Sequence, residues 1–313
     1  MISYSQPLSR AFHSMKKALF HPFDITKWFR IGFTAWLASF TECNGSGGGS
    51  NNKSISHNDL SEFFEFPQTA WNWLTDNPLW ANLIIVGLIL LIATVSVLIW
   101  VSSRSKFMFL HNVVHDKSEI SKPWHEYKKE GNSLFLFEFF YRWFAFAVFA
   151  LFAAYCFVTA RELYMEAPPQ PAVFLAIMKM ILLFIPYLGV FGYTSLFVKD
   201  FIVPIMYKHR VGIFRAWGKF LLIFGKRFFS FLFYGLIVFA LGIGVAIAVI
   251  FFALITCCIG LFLIAIPFIG AVILLPVSYT FRAFSIEFLS QFGRDYDVFP
   301  QEGIEILSEE TTD

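Results

Sequence analysis

Charge is what this sequence has little of: Lys, Arg, Asp and Glu make up 15% of its 313 residues, against about a quarter in ordinary soluble domains. A chain with so few charges cannot cover its surface in water. With 57% hydrophobic residues and a mean hydropathy of +0.63, it reads as a membrane protein. From Phe228 to Tyr279 it carries no charged side chain at all. Metal-binding cysteine patterns are also missing. Cys43, Cys156, Cys257 and Cys258 match neither a CxxC nor a zinc spacing, and read as small apolar residues or, in an oxidising compartment, disulfide partners. The glycine-rich "NGSGGGSNNKS" is not a phosphate-binding loop, because Asn52 stands where that motif needs glycine and no strand precedes it. It reads as a flexible linker. No nucleophile elbow and no catalytic carboxylate pair in recognisable context occurs, so neither enzymatic activity nor a cofactor nor a bound metal is expected.

Aromatic residues are abundant instead, with 42 phenylalanines and nine tryptophans, side chains suited to lipid and to the headgroup belt. Apolar stretches near 80–101, 134–158 and 173–198 each have the length of one crossing. The uncharged run after Phe228 is about twice that length and divides into spans near 228–253 and 263–285, with a turn permitted by Gly260 and Pro267. A shorter stretch near 26–41, capped by Asp24 and carrying Arg30, reads as a sixth span. The expectation is an all-α polytopic bundle of six transmembrane helices over 25–290, with a Gly-rich outer loop at 43–56. A cytoplasmic amphipathic segment at 1–24 precedes it, lacking the continuous apolar core of a secretory signal, and an acidic cytoplasmic tail at 291–313 follows.

Lysine and arginine concentrate in three places: the N-terminal segment, 102–132 and 199–227. The intervening loops hold almost none. Six spans with both termini in the cytoplasm place all three basic segments on the inner side of a bacterial inner membrane.

The second and third basic segments resemble each other. "FIVPIMYKHRVGIFRAWGKF" aligns without gaps on "MFLHNVVHDKSEISKPWHEY", Trp124 falling on Trp217 and Ile120 on Ile213. In both, an apolar span ends, a basic amphipathic stretch follows, a tryptophan arrives and a phenylalanine-rich span begins. With the N-terminal segment as a shortened third copy, the pattern suits parallel hairpin repeats joined by interfacial helices. Such an elbow would settle Trp124 and Trp217 at headgroup depth, while Lys208, Arg210, Arg215 and Lys219 meet anionic phosphates. Nucleic acid is not expected, because the bases lack an interleaved stacking platform.

Glu138 and Arg142 are spaced to pair along one helix face inside the third span, with Lys199 and Asp200 at the foot of the fourth. They form a candidate intramembrane polar site, either a closed ion pair or the lining of a path. Pro186, Pro204 and Pro276 are candidate helix breaks. Lys179 is placed to snorkel outward. In "HNVVH", Asn112 stands where a zinc protease needs glutamate, so His111 and His115 read as a solvated interfacial face.

"HPFDITKWFRIGF", "DFIVPIMYKHRVGIFRAW" and "LLPVSYTFRAFSIEFL" resemble uncharacterised multi-pass membrane families of bacteria and archaea. These look related to the membrane domain attached to some glycerophosphodiester phosphodiesterases. The resemblance implies a six-helix membrane fold and no assigned activity. The functional expectation is a non-enzymatic scaffold or lipid- or partner-contacting bundle. Its partners would be anionic headgroups or a cytoplasmic protein; a small-solute transporter or channel built around Glu138 and Arg142 is the alternative.

Overall fold

In the computed structural model, which describes residues 2–40, 57–166, 169–256 and 259–299, every regular element is helical and no strand occurs among the described residues. The order is α1 (Ser5–Phe20), α2 (Ile25–Ser39), α3 (His57–Asp76), α4 (Pro78–His115), α5 (Ser121–Glu126), α6 (Lys128–Glu166) and α7 (Gln170–Phe197). A π-helical turn (Val198–Ile202) leads into α8 (Val203–His209), α9 (Ile213–Lys226) and α10 (Phe228–Ile255). Then come α11 (Ile259–Ala265), α12 (Pro267–Ile273) and α13 (Leu275–Ser290). The glycine-rich loop, residues 300–313 of the acidic tail, Cys43, Cys257 and Cys258 lie outside the described residues; Cys156 is a free thiol.

Four helices are long and apolar enough to cross a bilayer: α4, α6, α7 continued through α8, and α10. The pair α12 and α13 makes a fifth if it counts as one broken span. The apolar windows of the four bury at most 6% of their residues inside the chain. Helices so apolar and so bare have lipid as their fitting solvent, and the protein is a membrane protein.

The other two segments expected as spans take different forms. α2 is capped as expected, the Asp24 carboxylate accepting from Thr26 N at 2.8 Å, but has 15 residues. That is about 22 Å of helix, short of a hydrocarbon core of about 30 Å. The segment near 263–285 is divided, turning by 62° between α12 and α13. Pro267 and Pro276 each sit in the first turn of their helix, where the missing N–H leaves no bond unmade.

Pro186 and Pro204 do not break the fourth helix. α7 runs unbroken through Pro186, because proline's φ is already helical and it removes one hydrogen bond, a loss membrane helices bear. At Pro204 the chain changes winding instead of stopping, passing through the π-turn into α8.

By its internal packing the chain forms two units: residues 1–41, 100–138 and 191–313, and residues 42–99 and 139–190. The core of the first unit is aromatic. Phe201 in the π-turn stacks on Phe220 at 5.5 Å and meets Phe231 and Tyr234 edge-on or tilted at 5.0 and 4.9 Å, while Tyr234 packs on Phe288 at 4.7 Å. Against α13, α1 buries Ala11, Met15, Ala18 and Leu19. Gly32 of α2 lies on Val272 of α12, whose carbonyl accepts from Trp28 Nε1 at 2.9 Å. In the second unit Phe63 and Phe64 pack on Phe157, Phe152 stacks on Phe184, and the Lys179 ammonium lies 5.7 Å from the Tyr155 ring.

The two basic elbows share a construction. α4 ends on Asp116 and α8 on Arg210, both left-handed with φ of 52° and 53°; a short non-helical link and a tryptophan-bearing helix follow each. For side chains larger than glycine this conformation is uncommon and reverses the chain sharply.

Gly270 lets α11 and α12 meet backbone to backbone: a Cβ there would lie 2.0 Å from the Ile264 carbonyl oxygen. Gly270→Ala should destabilise the detergent-solubilised protein by about 1–3 kcal/mol, read as a lower thermal midpoint. Gly87→Ala, where the added methyl meets nothing within 4 Å, should leave the midpoint unchanged.

Candidate functional site

The end of the apolar run in α4 reads Ser102, Ser103, Arg104, Ser105, Lys106, five polar residues that are all buried. Each engages protein. Ser102 Oγ donates to Ala38 O at 2.8 Å and Ser105 Oγ to Val101 O at 2.7 Å. Lys106 Nζ donates to Glu138 Oε1 at 2.6 Å, with side-chain exposures of 4% and 6%. The Arg104 guanidinium lies against the rings of Trp100, at 4.4 Å, and Trp124, at 5.1 Å, which meet each other edge-on. It donates from Nη2 to Asn132 Oδ1 at 2.9 Å. What allows these contacts is Gly131, where a Cβ would lie 2.8 Å from Arg104 Cγ. A larger residue would hold α6 away from α4.

A second polar knot surrounds the π-turn, and its origin is the proline. Val203 N donates five residues back, to Val198 O, in π register. The next bond in that register would run from Pro204 to Lys199 O, but proline has no N–H. Arg282 fills the place, donating from Nη1 to Lys199 O at 2.6 Å. Beside it, Tyr234 Oη donates to Asp200 Oδ2 at 3.0 Å, and Asp200, Tyr234 and Arg282 are all buried. The turn is therefore tied to α10 through Tyr234 and to α13 through Arg282.

The third knot lies where α4 and α8 end. Tyr207 Oη is 2.9 Å from His111 Nδ1 and 3.3 Å from His115 Nδ1, and the imidazoles stack at 4.4 Å. Tyr127 stacks on Tyr207 at 4.7 Å, and the Arg210 guanidinium covers Tyr127 at 3.8 Å while pairing with Glu126. Burial pushes the Tyr127 phenol above its ordinary value, keeping it a neutral stacking surface. The solvated face expected for the two histidines holds for His115 alone; His111 is buried, because Tyr207 covers it. Asn112 serves the elbow, its Oδ1 accepting from Glu119 N at 3.0 Å. Among the described residues no group of three or more His, Cys, Asp or Glu is arranged to hold a metal.

The residues proposed from sequence thus fall into different settings. Glu138 is held by Lys106 on another helix, Lys199 and Asp200 sit in the π-turn, and Arg142 lies further along α6 in the second unit. Of the elbow residues, Lys208 Nζ is bonded to the carbonyls of Arg294, at 2.7 Å, and Asp297, and Arg210 is paired with Glu126. Trp124 and Trp217 are half-buried, the latter 6.2 Å from the Phe137 ring. Packing of α9 against the core turns Trp217 inward, and Trp124 on α5 lies against Trp100 and Arg104 of α4. Arg215 is exposed and Lys219 half-exposed.

Lys106, Tyr234 and Arg282 escaped sequence reasoning. Lys106 was absorbed into a basic loop count, although a buried acid demands a base within reach; nothing in the local sequence of Tyr234 or Arg282 announces a partner.

Breaking the buried pair by Glu138→Gln leaves the Lys106 ammonium without its counter-charge, at a cost of about 3–5 kcal/mol. The double variant Lys106→Met, Glu138→Met should recover most of that loss in the thermal midpoint.

No curated protein and no solved structure matches this chain. The comparisons lend no support to a likeness to glycerophosphodiester phosphodiesterase membrane domains. Residues 4–298 match a family of unknown function, DUF7544, and the chain belongs to that family.

Proposed function

We propose that the protein is a non-enzymatic, six-pass inner-membrane bundle with both termini in the cytoplasm, which presents basic amphipathic helices to anionic lipid headgroups. The distribution of Lys and Arg along the chain supports the orientation, since six crossings gather all three basic segments on one side.

The observation that carries the lipid reading is that α9 has two apolar faces. One, with Ile213, Ala216 and Phe220, packs on the core. The other leaves Phe214, Leu221 and Leu222 exposed at 81%, 52% and 68%, flanked by the exposed cations Arg215 and Lys226. Apolar side chains edged by cations fit the boundary between acyl chains and phosphates. Lys208 and Arg210 serve the scaffold, and Tyr296 Oη donates to the backbone carbonyl of Lys219 at 3.3 Å, strapping the start of the acidic tail over α9. A cytoplasmic protein partner would meet the same surface.

In bilayers containing spin-labelled phosphatidylglycerol or phosphatidylcholine, the full-length protein should immobilise the anionic lipid about twofold more strongly. The double variant Arg215→Gln, Lys226→Gln should reduce that preference. Equal retention of both lipids by the unaltered protein sinks the lipid reading.

A small-solute transporter or channel is favoured by one observation, the π-turn carrying Lys199 and Asp200, since such bulges recur at functional sites. That reading predicts solute flux in proteoliposomes that Asp200→Asn and Glu138→Gln abolish; flux indifferent to both removes it.

A further inference from the structure

The chain that follows α13 is fastened to the elbow between α8 and α9. Lys208 Nζ holds the carbonyls of Arg294 and Asp297, Tyr296 Oη donates to Lys219 O at 3.3 Å, and Val298 is buried in the core. Its first acid, Asp295, shares the surroundings of His209 with Lys208 and Lys219. Residues 300–313 therefore start from a fixed point beside α9. The flank of α9 at that point is a stripe of cations. Arg215 and Lys219 are one turn apart and Lys226 follows two turns later, so the three lie along one side of the helix, on the flank that Tyr296 reaches. Leu222 lies between them and is exposed, as is Leu221. The sequence of 300–313 has the complementary chemistry: Glu302, Glu305, Glu309, Glu310 and Asp313 with no Lys or Arg, and Ile304, Ile306 and Leu307 interleaved. Such a length of chain can reach about 45 Å, against about 21 Å for the 14 residues of α9. Tethered at the rim, these acids meet the stripe at an effective concentration on the order of millimolar. A separate partner starts without that advantage.

We propose that residues 300–313 dock along the stripe of Arg215, Lys219 and Lys226 of their own chain and compete there with anionic lipid for α9. Carboxylate and phosphate seek the same cations, and the leucines beside them are covered by the tail or by acyl chains, not by both. The tail is in this way a built-in brake on the membrane-facing surface of α9. The competition rests on the lipid reading of α9, whereas the contact itself does not.

A carbodiimide, which joins a carboxylate directly to an amine, tests the contact in the full-length protein in neutral detergent, prepared from a mixture of isotopically light and heavy chains. Lys219 or Lys226 should be joined to Glu302, Glu305, Glu309 or Glu310 within one chain, and the yield should fall in high salt, which screens exposed charge. In bilayers, the full-length quadruple variant Glu302→Gln, Glu305→Gln, Glu309→Gln, Glu310→Gln should retain spin-labelled phosphatidylglycerol about twofold more strongly than the unaltered protein. Its retention of phosphatidylcholine should not change. Absence of these cross-links, links between light and heavy chains only, or a phosphatidylglycerol preference that the variant shares without increase overturns the proposal. Where neither protein prefers phosphatidylglycerol, the lipid reading of α9 has failed instead, and the cross-links alone decide the contact.

Discussion

A polar group removed from water must find a partner in the protein, and in this chain a single proline sets that requirement. Pro204 cannot donate to the carbonyl of Lys199, and the π winding just before it leaves that oxygen facing the core. Arg282 answers it from α13, and Tyr234 answers the adjacent Asp200 from α10. Three helices distant in sequence are thereby joined at one turn. The aromatic core around Phe201 packs on the same residues, so hydrogen bonding and burial agree about where those helices belong.

The same requirement governs the charges of α4. An ammonium and a carboxylate buried together as Lys106 and Glu138 contribute little net stability compared with an apolar pair, yet either alone would be very costly. Such a pair specifies which helices meet more than it strengthens the meeting. Arg104 is handled differently, its charge resting on two indole faces and one amide oxygen. Gly131 makes both arrangements reachable by letting α6 approach α4.

These demands explain why so many elbow cations are fastened to the protein. Lys208 closes two carbonyls of the C-terminal segment, and Arg210 completes a stack on Tyr127 and Tyr207. A count of bases cannot distinguish a lysine that holds its own chain from one that meets a phosphate. What each base is bonded to can: Lys208 and Arg210, exposed though they are, hold the Arg294 and Asp297 carbonyls and Glu126, whereas Arg215 and Lys226 edge the exposed apolar face of α9.

Membrane character, the all-helical class and the long apolar helices α4, α6, α7 and α10 were legible from composition and run length, because hydrocarbon imposes the same demand on every residue of a span. The cap at Asp24 and the matching elbows were legible for a similar reason: their causes lie within a few residues. The break before α13 was legible at Pro276, but the passage of the helix through Pro186 and Pro204 and the partners of Glu138, Lys199 and Asp200 were not. Each partner is a side chain supplied by a helix far away in sequence: Lys106 on α4, Arg282 on α13, Tyr234 on α10. Local chemistry states what a residue needs, and only the packed helices decide which neighbour provides it.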